Sequence, residues 1–330
     1  MRYRTVPGTA LSVSEVGFGV WTVSTNWWGV TDSELRRSLL HAAVDEHGIN
    51  FINTADTYGD GLGETIVRDV LGDRRDDLVI ATKFGYDLAD DSGRPGHRER
   101  RQDFSPEGIR RSCEASLQRL GTDRIDLYEA HNPRMDTIDH DEVVGALRDL
   151  QAAGKIRHFG TALGPRIEPS RQIDEGVATF ERGWQSCQII YNLLEQALHE
   201  RIFDAAHEHG GGILVRVPHS SGLLEGNLTP DTVFPSWDHR SHRPEGWLTE
   251  GLKKVDQLAF LTSDRRTIAQ AALKFVLHDE HVCSALPNVY DMAQLAEFAG
   301  VSDAPDLSPE ELAKIGELYR CDFGLTTAST

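Results

Sequence analysis

A tyrosine, a lysine and a histidine follow three successive strand-like segments of this 330-residue sequence. Tyr58 lies in the loop after "INFIN", Lys83 ends "LVIATK", and His131 ends "IDLYEAH". Reduction of a carbonyl group puts negative charge on its oxygen, and a phenol can donate the required proton when an adjacent ammonium ion favours the phenolate. A neutral imidazole can orient the same oxygen. These residue types therefore indicate proton donation to a carbonyl group, provided that the fold brings them together.

Each of these residues also has a structural explanation on its own. Tyr58 could pack on a rim, Lys83 could be a solvated charge, and His131 could be a hydrogen-bonded core residue. Asn53 and Asp56, which precede Tyr58, could simply form a turn or a cap. The set is more informative than its members, because loops that follow consecutive strands of a parallel barrel meet over one space.

Short apolar segments recur along the chain, and most are separated by stretches with helical periodicity, which is typical of repeated βα units. The helical stretches have recognisable ends: Ser105 is an N-cap candidate, Pro106 takes the first helical position, and Gly121 closes the stretch. Eight units with right-handed crossovers predict an α/β fold, the (β/α)8 TIM barrel. The eight strand segments are "EVGFGVW", "INFIN", "LVIATK", "IDLYEAH", "IRHFGTA", "CQIIYN", "GILVRV" and "VCSALPN".

Segments outside the eight units predict additions to the barrel. "RYRTVPGTALSVS" predicts an N-terminal β-hairpin with its turn near Pro7 and Gly8. Residues Asp291 to Phe298 and Ser308 to Tyr319 predict extra C-terminal helices. The stretch from His219 to Gly246 exceeds ordinary loop length, which favours a functional or mobile loop. No linker and no further internal repeat is visible, so residues 1–330 are expected to form a single domain.

Composition and charge argue against several classes of partner. The formal charge of −18 repels nucleic-acid phosphates and anionic lipids, and the basic run "RPGHRERRQ" is expected to be a solvated loop. No apolar stretch is long enough to span a membrane, and no secretory signal is visible. The cysteines show no pairing or ligand spacing, and His239 and His242 lack further ligands. We therefore expect a cytoplasmic protein with no metal site.

Several motifs of the sequence resemble those of the aldo-keto reductase family over nearly its whole length. The family's loop after the second strand normally reads Asp-Thr-Ala, two variable residues and Tyr-Gly, and here it reads "NTADTYG". "ATKFG" matches the end of the third strand and "DLYEAHNP" matches the histidine position. "YNLLEQ" and "SGLLEG" are also similar to family segments. The combination is far more specific than a single glycine-rich motif.

The resemblance implies a nicotinamide-dependent oxidoreductase that reduces an aldehyde or ketone, or oxidises the corresponding alcohol or sugar. By position, Tyr58 would be the general acid, Lys83 its acidifier and His131 the residue that orients the substrate oxygen, with Asn53 beside them. The cofactor would be NADPH, with NADH possible. The residues implied to bind it are Trp21, Gln188, Arg216, Pro218, His219, Ser220, Ser221, Asn288, Tyr290, Gln294 and Glu297. Trp27, Trp28 and Tyr86 are candidate walls of a pocket for a small carbonyl or alcohol substrate.

The sequence departs from the family pattern at three places. Asn53 replaces the acid that normally pairs with the lysine, so we expect a slower enzyme or a narrower pH range, unless Asp56 supplies the missing charge. Ala162 and Leu163 replace a Ser-Asn pair that helps to grip the carboxamide in many members. Asp291 follows Tyr290 where a basic residue often binds a 2′-phosphate, which leaves the choice between NADPH and NADH open.

Two other functions remain consistent with the residues. The first is a regulatory protein that binds a nicotinamide nucleotide with weak or vestigial turnover, which the replacements at Asn53, Ala162 and Leu163 favour. The second is a lyase that uses Tyr58 and Lys83 without net redox chemistry. The oligomeric state is left open by the sequence.

Overall fold

The structure is a computed structural model in which residues 1–25, 30–90 and 99–325 are described. Its strands form two sheets. A two-stranded antiparallel sheet comes first in the chain, and an eight-stranded parallel sheet follows. The strands are β1 (Tyr3–Thr5), β2 (Ser12–Ser14), β3 (Phe18–Gly19), β4 (Phe51–Asn53), β5 (Val79–Phe84), β6 (Ile125–His131), β7 (Ile156–Ala162), β8 (Ser186–Ile190), β9 (Gly212–Arg216) and β10 (Val282–Leu286). The eight strand segments and the hairpin predicted from the sequence are all present.

The parallel sheet closes on itself. Strands β3 to β10 pair with their neighbours in sequence order. A parallel bridge between Val16 and Ala285 joins the first of them to the last. The Gly17 amide donates to the Ala285 carbonyl at 2.9 Å, and the Ala285 amide donates to the Glu15 carbonyl at 2.9 Å. The result is an eight-stranded barrel surrounded by helices, which confirms the predicted fold class.

Two of the helices show clear capping residues. Asp32 accepts a hydrogen bond from the Leu35 amide and caps the second helix. Ser105 caps the fourth helix, with Pro106 in its first turn and Gly121 in the left-handed conformation at its end. The helices are α1 (Trp21–Ser24), α2 (Ser33–His41), α3 (Leu62–Leu71), α4 (Pro106–Leu120), α5 (Met135–Ile138), α6 (Asp141–Ala152), α7 (Pro169–Glu181), α8 (His199–His209), α9 (Trp247–Asp256), α10 (Ile268–Val276), α11 (Met292–Ala299) and α12 (Pro309–Arg320).

The predicted additions lie outside the repeating units. Helices α11 and α12 follow β10, as the sequence indicates. The long segment after β9 contains two short 3-10 helices, Ser220–Glu225 and His239–His242, before α9 begins. None of the helices in the described ranges combines the length and the apolar character needed to cross a bilayer.

The interior of the barrel is apolar at its N-terminal end. A buried cluster there joins hairpin residues to alternate residues of the strands: Val6, Leu11, Val13, Phe51, Val79, Ala81, Leu127, Leu214, Cys283 and Leu286. The hairpin therefore closes this end with its own side chains. A larger buried cluster packs the outer face of the sheet against the helices. Because side chains alternate along a strand, the residue two positions further along each strand also points into the barrel. These residues line the C-terminal end of the interior.

Gly160 allows β7 and β8 to approach each other, and this contact gives a test of the barrel. A methyl group at Gly160 would lie 2.0 Å from Ser186 Oγ and 2.7 Å from the Ser186 carbonyl oxygen. We expect Gly160→Ala to lower the free energy of unfolding by about 1–3 kcal/mol, as overpacking does. Adding Ser186→Ala is expected to restore part of the loss. Urea unfolding of the single and double variants measures both effects.

The matched control for this substitution is Gly145→Ala in α6. Apart from its chain neighbours and the backbone of α6 itself, no atom of the described residues lies within 4 Å of the position that a methyl group would take at Gly145. Alanine loses less conformational freedom than glycine in a helix, so this variant should be unchanged or more stable by up to about 1 kcal/mol. Equal stability of the Gly160 and Gly145 variants would contradict the close packing of β7 on β8.

Candidate active site

Polar side chains fill the inward positions at the C-terminal end of the barrel. On four strands, the residue two positions beyond the last apolar interior residue is polar: Asn53 follows Phe51 on β4, and Lys83 follows Ala81 on β5. On β6, Glu129 and then His131 follow Leu127, and Arg216 follows Leu214 on β9. The four strands β4, β5, β6 and β9 thus direct charged and amide groups to the same mouth.

Lys83 lies at the centre of this polar layer. Its side chain is 1% exposed, and its Nζ donates to Asn53 Oδ1 at 2.6 Å and to the Thr54 carbonyl oxygen at 2.9 Å. The third partner is the Tyr58 hydroxyl, at 3.4 Å. The structure therefore joins Tyr58, from the turn after β4, and Lys83, from β5, in one hydrogen-bonded group.

The carboxylate that faces Lys83 belongs to Glu129, a residue that the motif comparison did not single out. Its Oε2 atom lies 3.9 Å from Lys83 Nζ and accepts from Asn53 Nδ2 at 3.0 Å. Burial raises the pKa of the Glu129 carboxyl, and the charge of Lys83 is the largest opposing effect. The alternation of β6 carried the signal for this residue, because Glu129 precedes His131 by two positions.

Gln188 is held by the same carboxylate. Its Nε2 atom lies 3.2 Å from each oxygen of Glu129. An ionised carboxylate only accepts hydrogen bonds, so it is the amide nitrogen of Gln188 that must face it. Among the described residues the carbonyl end of this buried side chain has no hydrogen-bond donor. That carbonyl is available to accept a hydrogen bond from a ligand.

His131 borders the Tyr58 ring at the mouth. The two ring centres lie 6.2 Å apart, and Thr57 Oγ1 lies 3.5 Å from His131 Nδ1. Burial lowers the pKa of His131 well below its usual range, and the nearby positive charges of Lys83 and Arg216 lower it further. The imidazole is therefore neutral at physiological pH, as the proposed orienting role requires.

Aromatic rings flank the tyrosine and the histidine. The Trp21 ring meets Tyr58 edge-on with the ring centres 5.0 Å apart, and Tyr86 meets His131 in the same way at 5.1 Å. The Tyr86 hydroxyl accepts from Asn132 Nδ2 at 2.8 Å and donates to Glu99. The other two candidate substrate residues, Trp27 and Trp28, lie outside the described residues.

Arg216 reaches from β9 to the loop after β7. Its Nη2 atom donates to the carbonyl oxygens of Leu163, at 2.9 Å, and Pro165, at 3.3 Å. Ala162 and Leu163 are both buried, and their apolar side chains offer no hydrogen-bonding group to a ligand. A methyl group on Gly164 would lie 2.4 Å from Arg216 Nη2, which shows how closely the guanidinium packs on this loop.

The turn after Arg216 has an unusual backbone. Val217, Ser220 and Ser221 have φ angles of 57°, 47° and 57°, in the left-handed region that glycine normally occupies. Arg243, from the long loop, donates to Ser221 Oγ at 2.5 Å. His219 beside them is buried, its Nδ1 has no hydrogen-bond partner among the described residues, and burial lowers its pKa to about 4. Pro218 precedes these residues in the same turn.

The residues expected on the adenosine side meet an acidic side chain from this turn. Tyr290 donates its hydroxyl proton to Glu225, and Gln294 Nε2 donates to Glu225 Oε2 at 3.0 Å. Burial, followed by the charge of Glu225, raises the pKa of Tyr290 to about 12. Asp291 caps α11 by accepting from the Gln294 amide at 2.8 Å. Two further candidates, Asn288 and Glu297, are half-buried near the same helix.

Asp56 does not occupy the place of the missing acid. It is 1% exposed, and its Oδ1 atom has no hydrogen-bond partner among the described residues. Burial raises its pKa well above the usual range, the charge of Glu64 adds to the rise, and Lys83 is the smallest of the influences on it. The carboxylate in contact with Lys83 is therefore Glu129, whereas the sequence had suggested Asp56.

Comparison with known proteins identifies the family of the chain. A model described as the aldo/keto reductase family matches residues 15–320. The chain belongs to this family. Aldo-keto reductase YhdN from Bacillus subtilis (strain 168) is 31% identical over 312 residues, which cover 92% of this chain and 89% of the relative. The NADH-specific methylglyoxal reductase of Escherichia coli (strain K12) is 31% identical over 328 residues, with coverage of 93% and 96%.

Solved structures of the family have the same fold. The glycerol dehydrogenase AKR11B4 from Gluconobacter oxydans superimposes with a TM-score of 0.81 at 28% identity, over 99% of this chain and 98% of that one. Family membership confirms the resemblance and the oxidoreductase class inferred from the sequence. The chain is an aldo-keto reductase, and its general reaction is NAD(P)H-dependent carbonyl reduction.

The buried carboxyl group of Asp56 gives a pH-dependent prediction. Because its pKa is raised in the folded state, the unfolded chain loses this proton first as the pH rises, and the folded state loses stability between the two pKa values. The amide that replaces the carboxyl group in Asp56→Asn has no such proton to lose. We therefore expect this variant to have a free energy of unfolding higher by about 1 kcal/mol or more at pH 7.5 and little changed near pH 4. Urea unfolding at both pH values tests this, and a difference that does not change with pH would contradict it.

Proposed function

We propose that this protein reduces an aldehyde or a ketone with NADPH, or with NADH, and that Tyr58 donates the proton. The reverse reaction, oxidation of an alcohol or a sugar, uses the same groups. The observation that carries the proposal is the 3.4 Å contact between Lys83 Nζ and the Tyr58 hydroxyl at the barrel mouth. A phenol beside a buried ammonium ion is suited to acid catalysis, because the ammonium stabilises the phenolate that remains.

Each residue of the group has a distinct part in the proposed reaction. Tyr58 gives its proton to the carbonyl oxygen of the substrate, where negative charge develops. Lys83 stabilises the resulting phenolate through the contact described above. His131 is neutral and directs the substrate oxygen toward the Tyr58 hydroxyl. A bound nicotinamide supplies the hydride, and in alcohol oxidation Tyr58 accepts the proton instead.

The residues around the mouth fit a nicotinamide nucleotide. The buried Gln188 amide presents a carbonyl oxygen that suits the amino group of a carboxamide. The planar Arg216 guanidinium could stack on a flat ring. Trp21 borders the same space. Pro218, His219, Ser220 and Ser221 belong to the turn after β9, and the unpartnered His219 Nδ1 is a buried polar atom in that turn.

The adenosine end would lie between this turn and helix α11. Tyr290 and Gln294 are oriented there by Glu225, while Asn288 lies two residues before Tyr290 and Glu297 three residues after Gln294. The carboxylate of Glu225 disfavours a 2′-phosphate, while the guanidinium of Arg240, whose charge acts on Glu225, favours one. The proposed cofactor is NADPH, with NADH as the alternative, and parallel titrations of the protein with both nucleotides decide between them.

The substrate is expected to be a small molecule that enters beside Tyr86, and Trp27 and Trp28, outside the described residues, stay candidates from the sequence. Aromatic walls next to hydrogen-bonding groups suit sugars, quinones or aryl aldehydes. The chain is proposed to act as one domain over residues 1–330, in the cytoplasm and without nucleic acid or membrane as a partner.

Replacement of the phenol tests the proposal directly. We expect Tyr58→Phe to lower kcat for carbonyl reduction by about 10²–10⁴-fold, because the proton donor is lost while the ring stays. Nucleotide binding should be retained. The assay follows absorbance of the reduced nucleotide with a panel of aldehydes, sugars and quinones.

The control variant is Tyr3→Phe, which removes a hydroxyl from the hairpin at the other end of the barrel, where it donates to the Gly48 carbonyl. Unchanged turnover in both variants would refute Tyr58 as the acid. Nucleotide binding by the unmodified protein without turnover of any carbonyl would favour the regulatory alternative. Chemistry that needs no nucleotide would favour a lyase.

A further inference from the structure

We propose that Glu129 is the counter-ion that keeps Lys83 protonated beside Tyr58, and that Asn53 is a neutral bridge between the two ions. This inference deepens the proposed function and rests on it. Glu129 would act through Lys83 and Gln188, so it is a positioning residue. In the family pattern the negative charge lies at position 53 on strand β4, whereas here it lies at position 129 on strand β6.

Both ions are buried, and each therefore needs an opposite charge nearby. Lys83 is 1% exposed and Glu129 has no exposed surface. An isolated ammonium ion in such surroundings tends to lose its proton, and a neutral amine would not stabilise a phenolate. Glu129 Oε2 lies 3.9 Å from Lys83 Nζ, so an opposite charge is available within the same cavity. Its attraction favours the ammonium form of the lysine.

The side-chain amide of Asn53 bonds to both ions. Its Oδ1 accepts from Lys83 at 2.6 Å, and its Nδ2 donates to Glu129 at 3.0 Å. An amide has both an acceptor end and a donor end, so it satisfies the ammonium and the carboxylate at once. An aspartate here would face a second carboxylate at hydrogen-bond distance, and one of the two would have to bind a proton. Asn53 is thus matched to the presence of Glu129.

Gln188 links the same charge to the proposed cofactor site. Both Glu129 oxygens lie 3.2 Å from Gln188 Nε2, which fixes the orientation of this amide. The carbonyl oxygen of Gln188 is then directed away from the carboxylate. One carboxylate therefore positions the lysine that assists proton donation and the amide that would bind the carboxamide.

Other ionisable groups surround the pair and must be considered in any pH experiment. Arg216 adds positive charge near Glu129, and the charge of Glu129 acts on the thiol of Cys187. His131 is neutral, as described above. The ionisable groups that contact the pair or interact with it electrostatically are Tyr58, Asp56, His131, Cys187 and Arg216.

The test is a charge swap between positions 53 and 129. We expect Glu129→Gln to lower kcat at least about tenfold at pH 8 and to move the alkaline limb of the pH–rate profile about one unit or more to lower pH. The direction follows because Lys83 without a counter-ion loses its proton more easily. Asn53→Asp combined with Glu129→Gln restores one negative charge beside Lys83, so the double variant should regain most of the rate and the original limb.

Asn53→Asp alone completes the cycle. It adds a carboxylate without removing one, so it should bring no gain in rate over the unmodified protein. The control is Glu15→Gln, which removes a buried carboxylate from the N-terminal end of the barrel, where Glu15 accepts from Ser302 at 2.7 Å. This control is expected to keep both the rate and the pH profile.

Thermal unfolding provides a readout that does not depend on turnover. In the Glu129→Gln variant, the folded state should bind fewer protons than the unfolded chain, because Lys83 has lost its counter-ion. The variant should therefore unfold at a lower temperature than the unmodified protein, and this difference should shrink as the pH rises from 6 to 9. The double variant should show a smaller deficit that depends less on pH. If Glu129→Gln does not fold, the double variant still tests the inference, because it should recover folding and rate together.

Two results would overturn the inference. One is a folded Glu129→Gln variant with the alkaline limb of the unmodified protein. The other is a double variant no better than Glu129→Gln in rate and stability. Tyr58→Phe in the same assay separates this failure from failure of the proposed function. If Tyr58→Phe loses its rate while Glu129→Gln keeps its profile, only the role of Glu129 is wrong, whereas full rate in Tyr58→Phe refutes the proton donor itself.

Discussion

The site depends on a buried ion pair, Lys83 and Glu129, inside a closed barrel. Taking two charges out of water costs several kcal/mol each, and the cost is offset only where further hydrogen bonds complete the geometry. Here those bonds come from Asn53, Gln188 and the Thr54 carbonyl. Strand β8 lies two positions away from β6, about 10 Å in a flat sheet. The curvature of the barrel turns the inward side chains of these strands toward each other, and Gln188 contacts Glu129 at 3.2 Å.

The same barrel separates an apolar end from a reactive end. The N-terminal half of the interior is filled by aliphatic and aromatic side chains and closed by the hairpin residues Val6, Leu11 and Val13. These packed side chains close the N-terminal end, so access to the polar layer is from the C-terminal mouth. Because the charges sit directly on this packed layer, their surroundings favour strong electrostatic interactions between them. The apolar layer thus contributes to the chemistry although none of its residues takes part in it.

Local sequence patterns predict the barrel. They do not predict contacts between residues that are distant in sequence. Each strand follows from a short apolar segment, and α4 follows from the Ser105 cap and Gly121. Tyr58, Lys83 and His131 were accessible because each lies at a strand end. Glu129 does not lie at a strand end. It precedes His131, the last residue of β6, by two positions, so a search restricted to strand ends does not find it. The contact between Tyr290 and Glu225 joins loops 65 residues apart, and no local pattern specifies it.

Charge balance explains Asn53 better than a comparison of single positions does. An acid at position 53, or an amide there with an acid at 129, leaves one negative charge near Lys83. The second arrangement has an added consequence, because the charge on β6 also reaches Gln188. Asn53 alone suggests a weakened site, whereas Asn53 with Glu129 describes a complete one. A buried carboxylate is costly to keep, and a protein that only bound a nucleotide would have no need to hold a lysine charged beside a phenol. The pair therefore favours an enzyme over a vestigial binding protein.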